Sequence, residues 1–392
     1  MYFVLHYLMP LEINGEEAEG MSRRKYLLAT GGAGITGLAG CLGGDDSSGA
    51  TGGDTGSSET AESDTAHEFD EFDPQNPFES LPQPTSVLFD NNFQYGTRED
   101  FEQMEPRDEA AHGDLPEDPD SADEYLEPDV LQYTWGAGED SIQIYSDALV
   151  PLMENIEAET GLEVEYQAVD SHEAQLEAMR SERLHVARTG VGNTPFMVNL
   201  AGAVPMAMHV GAETAGYRTW TIARADNNDI NEVTDLIEHA DIVAHKDRTS
   251  NSGHFAPLTF MRDYDIEPGE DYEMAFPGQH EDAARGVLFG DYDAAHVAAR
   301  SYGRIVPDEI DPSELKAVWA SPPHPEGPTC YRYNLHPDIV EGIERAHFEY
   351  DYSGTSIEED VGAVEYIEFD YATHFHNVMR FQDTADVEYI DE

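Results

Sequence analysis

Positive charge is scarce in this chain. Twenty lysines and arginines stand against 81 aspartates and glutamates, a formal net charge of -61 over 392 residues. With no basic patch to neutralise phosphates, nucleic-acid binding is excluded. Cysteine is nearly absent, at Cys41 and Cys330 only, so there is no disulfide framework. Long apolar runs are missing as well: the run at 29–40 is too short and too rich in glycine for a stable membrane span. No nucleophile-elbow pattern or metalloprotease helix occurs. The G-x-G-x-x-G from Gly32 to Gly37 has no strand before it and follows a pair of arginines, so it does not indicate a dinucleotide fold.

The acidic residues are spread along the whole chain, which argues against a single acidic partner-binding segment. A surface of this kind suits a salt-rich setting, where at about 1 M salt the Debye length falls to about 3 Å and self-repulsion is screened. A halophilic protein is the expectation. The length is enough for one large or two ordinary domains.

Ser22-Arg23-Arg24-Lys25-Tyr26-Leu27-Leu28 carries the twin arginines and following apolar residues of a twin-arginine export signal. Leu38-Ala39-Gly40-Cys41 resembles a lipoprotein box, whose Cys41 would be lipidated and become the mature N-terminus. Residues 1–20 then read as an upstream extension and 21–41 as the signal. The protein is expected on the outer face of the cytoplasmic membrane, with Cys330 left without a disulfide partner. Residues 42–129 read as an acidic low-complexity linker. Up to about residue 67 they offer Leu42 as the only large apolar side chain, too little to offset ordering entropy. Aromatics such as Phe69, Phe72, Phe89 and Phe93 then appear among prolines and acids, and mostly irregular chain is expected there, with pieces packed onto the body.

A globular body begins near Val130. Leu131, Tyr133 and Trp135 alternate as a strand, and Ile142, Tyr145, Leu149, Leu152 and Ile156 mark the apolar stripe of a helix closed by Gly161. Further strands are expected at 162–168, 184–187, 217–224, 241–245, 294–297 and 315–319, with helices at 174–179, 230–239 and 281–289. This alternation predicts an α/β protein with mostly parallel sheet covered on both faces, in two successive units.

Between the strand at 241–245 and the helix after it lies Asp247-Arg248-Thr249-Ser250-Asn251-Ser252-Gly253-His254. A strand, a hydroxyl-rich turn and a helix start gather free N–H groups, the positive end of the helix dipole and side-chain donors at one spot, which attracts an oxyanion. An ordinary helix cap would look the same.

From about Val130 to Tyr350 the chain resembles the phosphate/phosphite/phosphonate-binding proteins of ABC importers. The resemblance rests on Glu177-Ala178-Met179, on Asp247-x-x-Ser250-x-Ser252-Gly253-x-x-x-Pro257, and on Gly278-x-His280. Gly290-x-x-Asp293-Ala294-Ala295 and Val318-Trp319-x-Ser321-Pro322-x-x-Pro325 follow in the same order. It implies the two-lobed, type II periplasmic-binding-protein fold, with lobe 1 at 130–217 and 321–392 and lobe 2 at 218–320. The chain would cross between lobes near 217–224 and 319–325, and the helices from Pro337 on would return to lobe 1.

The resemblance also implies that Ser250, Asn251, Ser252 and His280 hold a small oxyanion between the lobes. Asn251 stands where the family has threonine, and Gln279 where a serine precedes the histidine. Positions that are aromatic in the family fall at His172 and near Thr194 or Phe196. An acidic position that meets a ligand amine in amino-phosphonate binders falls at Gly327, beside Glu326. Arg248 is a new cation next to the turn, able to pair with the anion or with a surface carboxylate.

The implied activity is solute binding, not catalysis. No cofactor is expected, and the partners are importer permease and ATPase subunits, with a monomeric chain held by a lipid anchor. A surface sensor or hydrolytic module on the same scaffold is the alternative reading. His374 and His376 form an H-x-H that could suggest a metal, but two ligands so spaced are common on surfaces.

Overall fold

A computed structural model describes residues 69–136, 142–248, 250–303 and 310–390. The export signal, the lipoprotein box with Cys41, the Gly32 to Gly37 motif and the tether up to residue 68 lie outside the described residues.

Among the described residues twelve strands form two sheets. In chain order they are β1 (Gln83–Pro84), β2 (Val130–Trp135), β3 (Glu163–Tyr166), β4 (Val186–Arg188), β5 (Ala203–Val210) and β6 (Thr219–Arg224), then β7 (Ile242–His245), β8 (Glu273–Ala275), β9 (Ala294–Ala298), β10 (Leu315–Ala320), β11 (Thr329–Arg332) and β12 (Glu365–Glu368). One sheet has the order β12-β5-β11-β4-β2-β3, the other β1-β10-β6-β9-β7-β8.

The expectation of mostly parallel sheets is corrected. Only β3-β2-β4 and β8-β7-β9 run parallel, and the remaining pairs are antiparallel. The reason is topological. After β5 the chain leaves the first sheet and enters the second as β6; after β10 it returns as β11. A strand arriving from the boundary runs against strands heading toward it. The parallel strands of both sheets therefore end at the interlobe boundary, which is where open α/β sheets bind ligands.

Each sheet is covered on its faces by helices. Leu131, Tyr133, Leu152, Ile156 and Ile343 fill the core of the first lobe. Trp220, Ile222, Val287 and Leu315 belong to one core cluster of the second lobe, and Val243, Phe260 and Met261 to another. The helix expected from Ile142 onward is two helices, Ile142–Ala148 and Val150–Thr160, since Pro151 has no N–H to continue the first.

Two findings depart from expectation at the hinge. The span read as linker is, from residue 69, part of the body. β1 extends the second sheet, and Phe72, Leu88 and Phe93 enter its core beside Trp220 and Tyr302. Gly96 then pairs with Ala215 through N–H···O bonds of 3.0 and 2.9 Å, and Phe101 enters the first lobe's core with Met208 and Val210. The two crossings pair with each other at Tyr217 and His324, so residues 94–96 run as a third segment beside them.

The last helix, His376–Thr384, also straddles the lobes instead of returning to one. Val378 and Met379 pack in the first lobe, Phe381 lies 5.0 Å from Phe260 of the second, and Gln382 donates to the Gly192 carbonyl.

Candidate ligand-binding cleft

The polar turn forms where β7 ends. Ser250 caps the following helix, its Oγ accepting the Gly253 N–H at 3.0 Å. Asn251–Phe255 make a wide turn of π type that leads directly into the helix Ala256–Arg262. Gly253 is required by a close approach: a Cβ there would stand 2.5 Å from Lys246 Cβ. Lys246 is therefore held against the turn, paired with Asp247 at 3.1 Å.

Asn251 and Ser252 are buried. Asn251 Nδ2 donates to the Tyr217 hydroxyl at 3.2 Å, while its buried Oδ1 has no partner among the described residues. His280 opens the helix His280–Phe289 and is buried too. Its Nδ1 accepts the Ala298 N–H at 3.2 Å, which leaves the proton of the neutral ring on Nε2, ready to donate. Burial first, then the Lys246 ammonium, lower its pKa to about 3, with Asp247 opposing.

From the first lobe, His172 begins the helix His172–Arg180 and lies against Gly190. Its pKa is lowered by burial first, then by Arg188 and Lys246, with Glu173 opposing. The charge of Lys246 thus acts on two histidines from different lobes. Arg188, at the end of β4, lies over Trp135 at 5.6 Å. Glu326, in the second crossing, pairs with Arg188 at 3.1 Å and with Arg300, and Arg300 lies over the Tyr217 ring at 5.1 Å.

Two expected residues do not join this group. Thr194 is buried inside the first lobe, its hydroxyl 2.6 Å from that of Thr189 and donating to the Gly190 carbonyl; it serves the helix start at Thr194–Ala201. Arg248 is exposed and stacks on Phe276 at 4.2 Å. It lines a hollow of about 420 Å³ at the β8 edge with Asp241, Glu270, Asp271 and Glu273. The cation at the turn is Lys246, because strand β7 delivers that residue to the face on which Gly253 packs. His374 accepts the Asp370 N–H and packs on Phe369, and among the described residues no group of three or more His, Cys, Asp or Glu could hold a metal.

Lys246, Arg188, Arg300 and Tyr217 escaped the sequence reading. A signal was available for the first: the chain has three lysines, Lys25, Lys246 and Lys316. Lys316 is spent on Asn227 and Asn231. In so acidic a chain each cation beside a strand end is worth testing.

Residues 139–374 match the family model of the periplasmic substrate-binding protein of phosphonate ABC transporters. The chain belongs to that family. It is the periplasmic-type substrate-binding component of an ABC transporter of the phosphonate class, and its role is binding, not catalysis. A curated relative is the phosphate-import protein PhnD of Mycolicibacterium smegmatis, 25% identical over 226 residues, covering 54% of this chain and 68% of the relative.

Solved structures share the fold. A binding protein of an ABC phosphonate transporter from Pseudomonas aeruginosa is 19% identical with a TM-score of 0.50, covering 66% of this chain and 88% of its own. PhnD1 from Prochlorococcus marinus in complex with methylphosphonate is 14% identical with a TM-score of 0.50, covering 67% and 100%. The fold of this substrate-binding protein is the two-lobed type II arrangement of such neighbours. Among the described residues no helix is long and apolar enough to cross a membrane.

Proposed function

We propose that this binding protein captures a small oxyanion of the phosphonate, phosphite or phosphate class between its lobes and delivers it to permease and ATPase subunits. Lobe 1 is drawn from 130–217 and 321–392, lobe 2 from 218–320, with residues 69–129 added across both. The observation that carries the reading is the position of Lys246. It lies against the Ser250 turn, and its carbonyl accepts the Gly278 N–H at 2.8 Å, two residues before His280.

Ser250, Asn251, Ser252 and the His280 Nε2–H supply donors, and Lys246 supplies charge. About three charge-assisted hydrogen bonds at roughly 1.5–3 kcal/mol each reach the size a micromolar complex needs, near 8 kcal/mol. His172 closes the site from lobe 1 by hinge motion. Arg248 and Thr194 are left out of this assignment.

Export by the twin-arginine signal, anchoring through a lipidated Cys41 and operation as a monomer in molar salt complete the proposal. They rest on the sequence motifs and the charge. Replacing Cys41 with Ala should release the protein from membranes into the soluble fraction; retention on membranes would refute the anchor.

Binding itself is tested by a thermal-shift panel of phosphate, phosphite, methylphosphonate, sulfate and sulfonates at molar salt. A phosphorus oxyanion should raise the melting temperature by an amount that grows with its affinity. No shift across the panel would overturn the reading.

A further inference from the structure

The Ser321-Pro322 stretch of the second crossing has no task in the oxyanion site. Ser321 and His324 are buried there, as is Thr219, where the first crossing enters β6. The two crossings are laced together at these residues. Thr219 N–H donates to Ser321 Oγ at 2.9 Å, and Ser321 N–H to the Thr219 carbonyl at 2.8 Å. Tyr217 N–H donates to the His324 carbonyl at 3.0 Å, and His324 N–H to the Tyr217 carbonyl at 2.7 Å.

One further bond reaches the polar turn: the Thr219 hydroxyl donates to the Ser252 carbonyl at 3.3 Å. The helix cannot supply that bond itself. Ala256 N–H is given to the Asn251 carbonyl in the wide turn, so the Ser252 carbonyl, next in line, faces Pro257, which has no N–H. On the other side of the same peptide, Gly253 N–H is held by Ser250 Oγ. The peptide between Ser252 and Gly253 is thus fixed at both ends, once from within the turn and once from the crossing.

The proton positions follow from the donors available. Thr219 has one hydroxyl hydrogen, given to Ser252, and Ser321 has one, given to the Pro322 carbonyl at 2.7 Å. Both oxygens lie within reach of His324 Nε2, at 2.9 and 3.2 Å, and can only accept from it. His324 is therefore the Nε2–H tautomer, and it turns the Thr219 hydrogen toward Ser252. Burial first, then the Arg218 guanidinium, lower its pKa to about 3, so the ring stays neutral. Its ring packs on Tyr217 at 5.2 Å, and the Tyr217 hydroxyl accepts a second bond from the turn, from Asn251 Nδ2.

We propose that His324 is a positioning residue for the ligand: by orienting the Thr219 hydroxyl onto the Ser252 carbonyl, it holds the anion-binding turn in register with the two crossings. This rests on reading the Ser250 turn as the oxyanion site. A turn free to rotate its Ser252 peptide would have to be ordered by the ligand, at a cost in affinity. A turn already fixed to the crossings meets the ligand with its donors in place.

The test is titration calorimetry of the full chain with methylphosphonate, phosphite and phosphate in molar salt, with melting curves recorded on each protein. Thr219→Val, which keeps the shape and removes the hydroxyl, should weaken binding about fivefold or more, the size of one lost hydrogen bond. Thr219→Ser, which keeps the hydroxyl, should recover most of that loss. His324→Leu should weaken binding to a similar extent, and His324→Gln, whose amide supplies a donor near the Nε2 position, should recover most of it. In the double variant with Thr219→Val and His324→Leu the two losses should not add. Should His324→Leu fail to fold, the comparison of Thr219→Val with Thr219→Ser still decides. If the variants only melt lower while the folded proteins bind as the unaltered one does, the positioning role is wrong and the oxyanion site stands. If the unaltered protein binds none of the three ligands, the oxyanion site itself fails and the positioning role with it.

Discussion

Gly253 shows how a single residue can join packing to binding. Its missing Cβ lets the polar turn close on Lys246, and the turn in turn presents Ser250 and Asn251. Gly253→Ala should cost about 1–3 kcal/mol of stability by overpacking and weaken methylphosphonate binding as well, seen together in melting curves and titrations. Thr194→Val is the contrasting case. Its hydroxyl works between Thr189 and Gly190, so stability should fall by about 1–3 kcal/mol from the partners left unpaired, while ligand affinity stays unchanged. Weakened affinity in that variant would return Thr194 to the site. The Ser250, Asn251 and Ser252 turn stood out in sequence because it lies in one short stretch before a helix start, whereas His280 was picked out only through the family resemblance. Arg188 and Arg300 were not, since only the folded hinge brings residues so far apart in sequence to the Glu326 carboxylate.

Among the elements, strands and helices with clear periodicity from Val130 to Val297 were legible, and the antiparallel strands β5, β11 and β12 were not. β5 and β11 are buried on both faces and show little alternation, with Ala203–Val210 reading as a plain apolar run. In the segment before Val130, packed pieces were expected, but strand β1 and the run across both lobes were not legible. Phe72, Phe93 and Phe101 are single anchors set among prolines and acids, with no period to read. Because this segment spans both lobes beside the two crossings, it should contribute to the stability of the whole body. Phe93→Ala and Phe101→Ala should each cost about 3–5 kcal/mol, measured by denaturant titration. A loose linker would show no cost at either position.

For the whole molecule, charge and buried histidines set the response to conditions. Burial depresses His254 and His347 to about 4, and His280, His296 and His324 to about 3. Unfolded histidine titrates near about 6.5, so below that pH the unfolded chain takes up protons that the folded one refuses. Stability should be full above pH of about 6.5 and fall steadily as pH drops from there toward 4. A melting temperature that is flat across that window would contradict the burial of these rings. Added salt should raise the melting temperature up to molar concentration by screening the repulsion within a chain of charge -61.

The most direct measurement is the affinity of methylphosphonate for the unaltered protein and for Lys246→Gln, by titration calorimetry at molar salt. A cleft organised around Lys246 should bind in the micromolar range, and the variant should lose about tenfold or more. Equal affinities for the two would contradict the placement of the oxyanion between the Ser250 turn, His280 and His172.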